Sequence, residues 1–172
     1  MQEMINIAGS IYDDTANGTG FRVTIFISGC KHKCKGCQNR QAWKFDYGKE
    51  FTKDIEDTII NYIKEHDYID GITLSGGDPM YSASELCKFV NRYKRETGKS
   101  IWIYTGFKYE DILSDNDDKL KLLKKCDIVV DGRFKLEDRD TTIAFRGSPN
   151  QRIIDIKKSM SKRTVIDVTS KF

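Results

Sequence analysis

An α/β architecture with a mostly parallel sheet, folded as a partial, open (β/α) barrel, is what this 172-residue sequence predicts. Three observations carry that expectation. Short runs rich in β-branched and aromatic residues alternate with amphipathic helical stretches, the pattern of strand–helix–strand units. Each predicted strand runs into a loop of glycine, cysteine or polar residues. The chain is also shorter than the roughly 200 residues or more of a complete eightfold barrel.

The elements follow in order. Phe21 to Ser28 reads as the first strand, with Val23, Ile25 and Ile27 alternating against Thr24, Phe26 and Ser28. Thr52 to Glu65 reads as a helix: Thr52 is a cap, Asp54, Glu56 and Asp57 suit the positive end, and Ile55, Ile59 and Ile63 form the buried stripe. Gly71 to Ser75 is the second strand. Ser82-Ala83-Ser84-Glu85 has the form of a capping box, opening a helix through Leu86, Phe89, Val90 and Tyr93 that stops at Gly98. Ser100 to Tyr104 is the third strand. Tyr109 to Lys125 is helical, with a break at Asp115-Asn116. Asp127 to Asp131 is the fourth strand. Right-handed crossovers between such units make these strands parallel.

Composition narrows the class. Hydrophobic residues make up 38% and charged residues 32% of the chain, a globular balance. No apolar run approaches the ~20 residues of a membrane span, and no signal-peptide pattern opens the sequence. A net charge of +3 does not indicate a nucleic-acid partner. The five cysteines are an odd number with three in one short segment, which suits the reducing cytoplasm better than a disulfide framework. No linker or repeat divides the chain, so it reads as one domain over residues 1–172.

The segment Cys30-Lys31-His32-Lys33-Cys34-Lys35-Gly36-Cys37 has C-x3-C-x2-C spacing. Three readings compete. On a helix the three thiols would share one face and pack as small hydrophobes, but Gly29, Gly36 and the interleaved lysines disfavour a buried helix. His32 could complete a Cys3His zinc set, although no second half of a zinc module follows. The third reading is an iron–sulfur centre with three thiolate ligands and one open corner.

The four strand-ending loops sharpen the choice. The cysteine loop follows the first strand, Ser75-Gly76-Gly77-Asp78-Pro79 the second, Thr105-Gly106 the third and Gly132-Arg133 the fourth. All four lie at carboxyl ends of predicted parallel strands, the edge where such sheets bind ligands. Alone, the Gly-Gly-Asp-Pro segment is an ordinary turn; beside a metal centre its glycines also let backbone approach a ligand closely.

Together these residues resemble the radical S-adenosylmethionine enzymes, and within them the activases of anaerobic ribonucleoside-triphosphate reductase. The resemblance rests on Asn17 to Arg22, Ser28-Gly29 and the cysteine loop, Gln38-Asn39, Trp43, Phe51-Thr52, Leu74 to Pro79, Ile101 to Phe107, Val130 to Phe134, and Phe145 to Gln151. It spans about residues 15–152; residues 153–172 form an extension of no assignable role. One departure is Gly36, where many superfamily members carry an aromatic residue before the third cysteine; it alters the expected adenine contact, not the cluster.

The resemblance implies a radical S-adenosylmethionine type of partial barrel. It implies a [4Fe-4S] cluster on Cys30, Cys34 and Cys37, with S-adenosylmethionine on the fourth iron. Reductive cleavage would yield a 5′-deoxyadenosyl radical, which takes a hydrogen from a glycine Cα of the reductase large subunit. Gly76, Gly77 and Asp78 would hold the amino group, and backbone at Gly36, Cys37 and Gln38 the adenine. Asp131 and Arg133 would be further contacts, with a mutual salt bridge as the alternative, and Thr105 would touch the ribose or simply turn the chain. No other acid or base is expected, and no nucleic acid or membrane partner. The incomplete side of the barrel would admit the partner's glycine loop, with Arg146 to Gln151 either lining that surface or forming a plain turn. A pyruvate formate-lyase type of activase, and a non-enzymatic zinc or electron-transfer module, remain rival readings.

The other features read as structural. Cys87 and Cys126 are packed thiols. Trp43 and Trp102 are packing residues, and His66 is solvated. The basic group Lys31, Lys33, Lys35, Arg40 and Lys44 is either a wet loop or a landing site for an acidic electron donor such as a flavodoxin.

Overall fold

The computed structural model describes residues 4–172. Seven strands form one mixed sheet: β1 (Asn6–Asp14), β2 (Phe21–Ile27), β3 (Lys49–Glu50), β4 (Ile69–Gly76), β5 (Ser100–Tyr104), β6 (Ile128–Asp131) and β7 (Arg152–Asp155), in the spatial order β3-β1-β2-β4-β5-β6-β7. The middle of the sheet, β2-β4-β5-β6, is parallel. Both margins are antiparallel, β1 against β2 and β3 on one side and β7 against β6 on the other. The sheet is open: its two outermost strands are β3 and β7.

The parallel middle and its helices follow the sequence pattern. Helix α1 (Lys53–Glu65) is capped by Thr52, whose hydroxyl accepts from the Ile55 amide. Helix α2 (Ala83–Thr97) ends at Gly98 in the left-handed conformation. At its start, Ser82 occupies the cap position without a side-chain cap bond, so the expected capping box does not form. Instead the Asp78 carboxylate accepts from Met80 and caps the short 3-10 turn Pro79–Ser82, which leads straight into α2. The helix expected over Tyr109–Lys125 is two, α3 (Tyr109–Asp115) and α4 (Asp118–Lys125), separated by Asn116 in the left-handed region.

Two marginal strands carry no clear sequence signal. Strand β1 is interrupted by register shifts after Ile7 and after Ile11, with Asp13 at a left-handed φ of 54°, so its alternation is blurred. Strand β7 has four residues and is followed at once by α5 (Ile156–Lys162). The extension beyond residue 152 is thus part of the sheet, and its end packs Val168 and Phe172 against the Trp102 and Phe145 side chains.

The helices cover one face of the sheet. Val23, Ile25, Ile27, Ile72, Leu74, Ile101 and Ile103 are fully buried there against Ile59, Ile60, Ile63, Leu86, Phe89 and Val90. The alternate residues, Arg22, Thr24, Phe26, Thr73, Ser75, Trp102 and Tyr104, stand on the opposite face. No helix of the described residues is long and apolar enough to cross a membrane.

Candidate metal centre and cofactor cavity

A cavity of about 660 Å³ opens on the uncovered face, above the carboxyl ends of the parallel strands. All four expected loops reach it. Its lining includes Cys30, Cys34, Cys37 and Gln38 from the first loop, Gly76, Gly77 and Asp78 from the second, Thr105 and Gly106 from the third, and Gly132 and Arg133 from the fourth.

Backbone bonds fix the cysteine loop. Gly29 N donates to Ala42 O at 2.7 Å, Cys30 N to Trp43 O at 3.1 Å, and Asp78 N to Gly29 O at 2.9 Å. Gly77 sits so close to this junction that a Cβ there would lie 2.6 Å from Ala42 O and 2.7 Å from Gly29 O, a contact no side chain could relieve. The loop then turns through Lys33 and Gly36, both at positive φ, and closes with Cys37 N on Cys34 O. Gly36 faces Leu136, not the cavity; a Cβ there would lie 2.7 Å from the Leu136 side chain.

All five thiols are free. Burial pushes the Cys30 thiol up to about 11 and raises Cys34 as well. Such thiols favour the protonated form until a cation compensates the thiolate charge, which is how metal binding couples to proton release. Cys126 is fully buried, with its Sγ on Leu122 O, and Cys87 is half-buried; neither lines the cavity.

Among the described residues no three His, Cys, Asp or Glu side chains form a group that could hold a single metal ion as they stand. His32, the fourth ligand of the zinc alternative, holds Asp78 Oδ2 through Nε2 at 2.7 Å with its side chain only 3% exposed, and its Nδ1 is left without a partner. The cavity also holds unmet hydrogen-bonding capacity. His32 Nδ1, Trp43 Nε1, Tyr104 Oη and Arg146 Nε are buried without partners, and all four residues line it.

The polar expectations separate. Asp78 lines the cavity, and its carboxylate already braces three loops. Oδ2 takes His32 Nε2, Thr105 Oγ1 at 2.9 Å and Gly106 N at 2.9 Å, while Oδ1 takes Met80 N at 3.0 Å. Oδ2 is thus fully engaged, while Oδ1 carries one bond of the two it can accept. Thr105 correspondingly spends its hydroxyl proton on Asp78. Asp131 does not face the cavity: it is 1% exposed and accepts from Tyr109 N and Arg152 Nε. The alternative Asp131–Arg133 salt bridge does not form either, because Arg152 is the partner and also makes a bidentate pair with Glu110. Arg133 remains at the cavity wall.

Arg146 to Gln151 is a tightly bonded turn that also meets the cavity. Gln151 accepts from Gly147 N and Ser148 N and donates to Gly132 O, Arg146 donates to Gln151 O, and Arg146, Gly147 and Gln151 line the cavity. Trp43 lines it too, beyond its packing role, whereas Trp102 is 3% exposed against Phe145 and Phe172. His66 is half-buried and stacked on Tyr62 rather than solvated.

Comparison with known proteins places the chain in a family. Residues 16–154 match the family described as a 4Fe-4S single cluster domain. The anaerobic ribonucleoside-triphosphate reductase-activating protein of Escherichia coli (strain K12) is 39% identical over 142 residues, covering 80% of this chain and 90% of that protein. The chain belongs to this family of activating proteins. The Haemophilus influenzae member is 41% identical over 144 residues (81% of this chain, 91% of its own), and that of phage T4 39% over 143 (81% and 87%).

Two members of the site escaped sequence reasoning. His32 was readable only as a possible metal ligand, because its partner Asp78 is 46 residues away. Tyr104 was readable only as a strand residue; the alternation that sends it to the uncovered face was the available signal.

Proposed function

We propose that this chain is a radical S-adenosylmethionine activase serving anaerobic ribonucleoside-triphosphate reductase, built as an open, partial barrel. The single observation that carries the proposal is the placement of three free thiols and the Gly76-Gly77 backbone on one cavity at the carboxyl edge of the parallel strands. Cys30, Cys34 and Cys37 would hold a [4Fe-4S] cluster, leaving one corner for S-adenosylmethionine. When bound, these two groups supply the electron and the 5′-deoxyadenosyl radical that removes hydrogen from a glycine Cα of the reductase large subunit.

The chain's own residues position and enclose. Gly76 and Gly77 offer backbone at close range for the amino group, with Asp78 behind them as a brace. Backbone of Cys37 and Gln38 offers an edge for adenine, with Gly36 turning the chain beside Leu136. Arg133 offers a guanidinium for the carboxylate, and Thr105 stands beside Gly106 as part of the brace. The open side of the sheet, flanked by Arg146 to Gln151, is the route for the partner's glycine loop. Five free thiols fit the reducing cytoplasm. Lys31, Lys33, Lys35, Arg40 and Lys44 are all exposed, a surface for an acidic donor such as a flavodoxin; reduction by such a donor should slow as salt is added, and an unchanged rate removes the donor assignment.

The deciding experiment is anaerobic reconstitution, reduction, and assay for 5′-deoxyadenosine, followed by electron paramagnetic resonance of the large reductase subunit. The expected result is stoichiometric deoxyadenosine and a glycyl radical signal. Deoxyadenosine without a radical would leave the chemistry and remove the partner; protein that takes up zinc and no sulfide would remove both.

A further inference from the structure

We propose that His32 is a positioning residue that locks the cysteine loop to the Gly-Gly-Asp loop through Asp78, so that the thiols of Cys30 and Cys34 are held in place before any metal arrives. The inference deepens the reading that this loop holds a cluster.

Asp78 is the junction of three loops. Its Oδ2 binds the cysteine loop through His32, and the loop after β5 through the Thr105 hydroxyl and the Gly106 amide. His32 is the only one of these partners that comes from between two of the thiols. Its ring cannot drift: it packs against Phe107 at 4.6 Å and Tyr81 at 5.3 Å between centroids, and Gly106 abuts it so tightly that a Cβ there would lie 2.7 Å from the imidazole. A side chain this buried, with one nitrogen on a buried carboxylate, keeps a single orientation. Outer groups that orient metal ligands typically account for 10–100-fold in metal affinity. Here the oriented unit is the loop backbone between two ligands. Lys33, next to His32, is at a left-handed φ of 53°, a conformation that a tethered neighbour helps to retain.

The test uses the reconstituted full-length protein and the rate at which an iron chelator strips it. His32→Leu should lose iron about tenfold faster than the unmodified protein, the low end of that range. His32→Gln, whose amide N–H can still reach Asp78, should stay within about twofold. Gly106→Ala leaves the histidine present but drives a methyl into its ring, and should resemble His32→Leu. Combining His32→Leu with Asp78→Ala should be no worse than Asp78→Ala alone, since that change already removes the acceptor of the His32 link. In the metal-free protein, alkylation of Cys34 should accelerate in His32→Leu while that of Cys87, remote from the loop, stays constant; this arm reports on the lock whether or not a cluster assembles. A His32→Leu protein that keeps its iron like the unmodified one, a Gln variant as poor as Leu, or additive effects with Asp78→Ala would each overturn the proposal. Failure of the unmodified protein to cleave S-adenosylmethionine would overturn the functional reading and leave this lock standing.

Discussion

The two faces of the sheet are built on opposite principles. On the helix-covered face, aliphatic side chains from β2, β4 and β5 are fully buried in one continuous core. On the other face the same strands present Arg22, Thr24, Phe26, Thr73, Ser75, Trp102 and Tyr104. The lower part of that face is a polar network: Arg22, 1% exposed, donates to Thr73 Oγ1, Ile72 O and Ser100 O, Thr73 donates to Asn17 O, and Thr24 donates to Asp14. The upper part is the cavity. Stability therefore resides chiefly in non-directional burial on one side, and recognition in directional groups on the other. A parallel sheet covered by helices on both faces would show continuous apolar strands; the clean alternation here marks a sheet with one face reserved.

That contrast can be broken from either side. The largest effect is expected from Cys34→Ala at the rim of the uncovered face: iron and sulfide should fall to background while thermal unfolding of the metal-free protein barely moves. Cys126→Ala on the core side should keep its iron, and equal loss from both would erase the division. Next is Leu74→Ala, in the covered face. It should cost about 2–5 kcal/mol of unfolding free energy, measured by denaturant titration, with activity per folded molecule retained. Thr73→Val, across the sheet from that core, removes both the donor to Asn17 O and the acceptor for Arg22. It should cost about 1–3 kcal/mol because Arg22 Nε is left without its partner; a cost near zero would mean the polar floor is not structural. The smallest effect is expected at the margin, where Arg152 holds the Glu110 carboxyl down to about 2. A lowered carboxylate adds stability above its ordinary value near 4.5, and that part is lost as pH falls from there toward 2. Glu110 is half exposed, so Glu110→Gln should flatten this acid limb by less than about 1 kcal/mol.

Much of this was legible from local pattern. Strands β2, β4, β5 and β6, the helices between them and the four loops at their ends follow from alternation, caps and glycine placement. The margins were not. Strand β1 hides its period behind register shifts, and β7 is too short for periodicity to speak. Within the site, Cys30, Cys34, Cys37, Gln38, Gly76 and Gly77 were readable because spacing or backbone freedom betrays them. Asp78 and Asp131 were readable as important but not as inward-facing. Which partner satisfies a carboxylate is a long-range fact: Asp131 chose Arg152 over its near neighbour Arg133, because β7 folds back beside β6.

The reversed strands at both margins have a consequence for timing. β1 and β7 run antiparallel to their inner neighbours, so the parallel series stops at β2 and β6 and the sheet ends in two free edges, β3 and β7. On the proposed function, docking of the large reductase subunit, rather than a gate within this chain, would close the chamber to water.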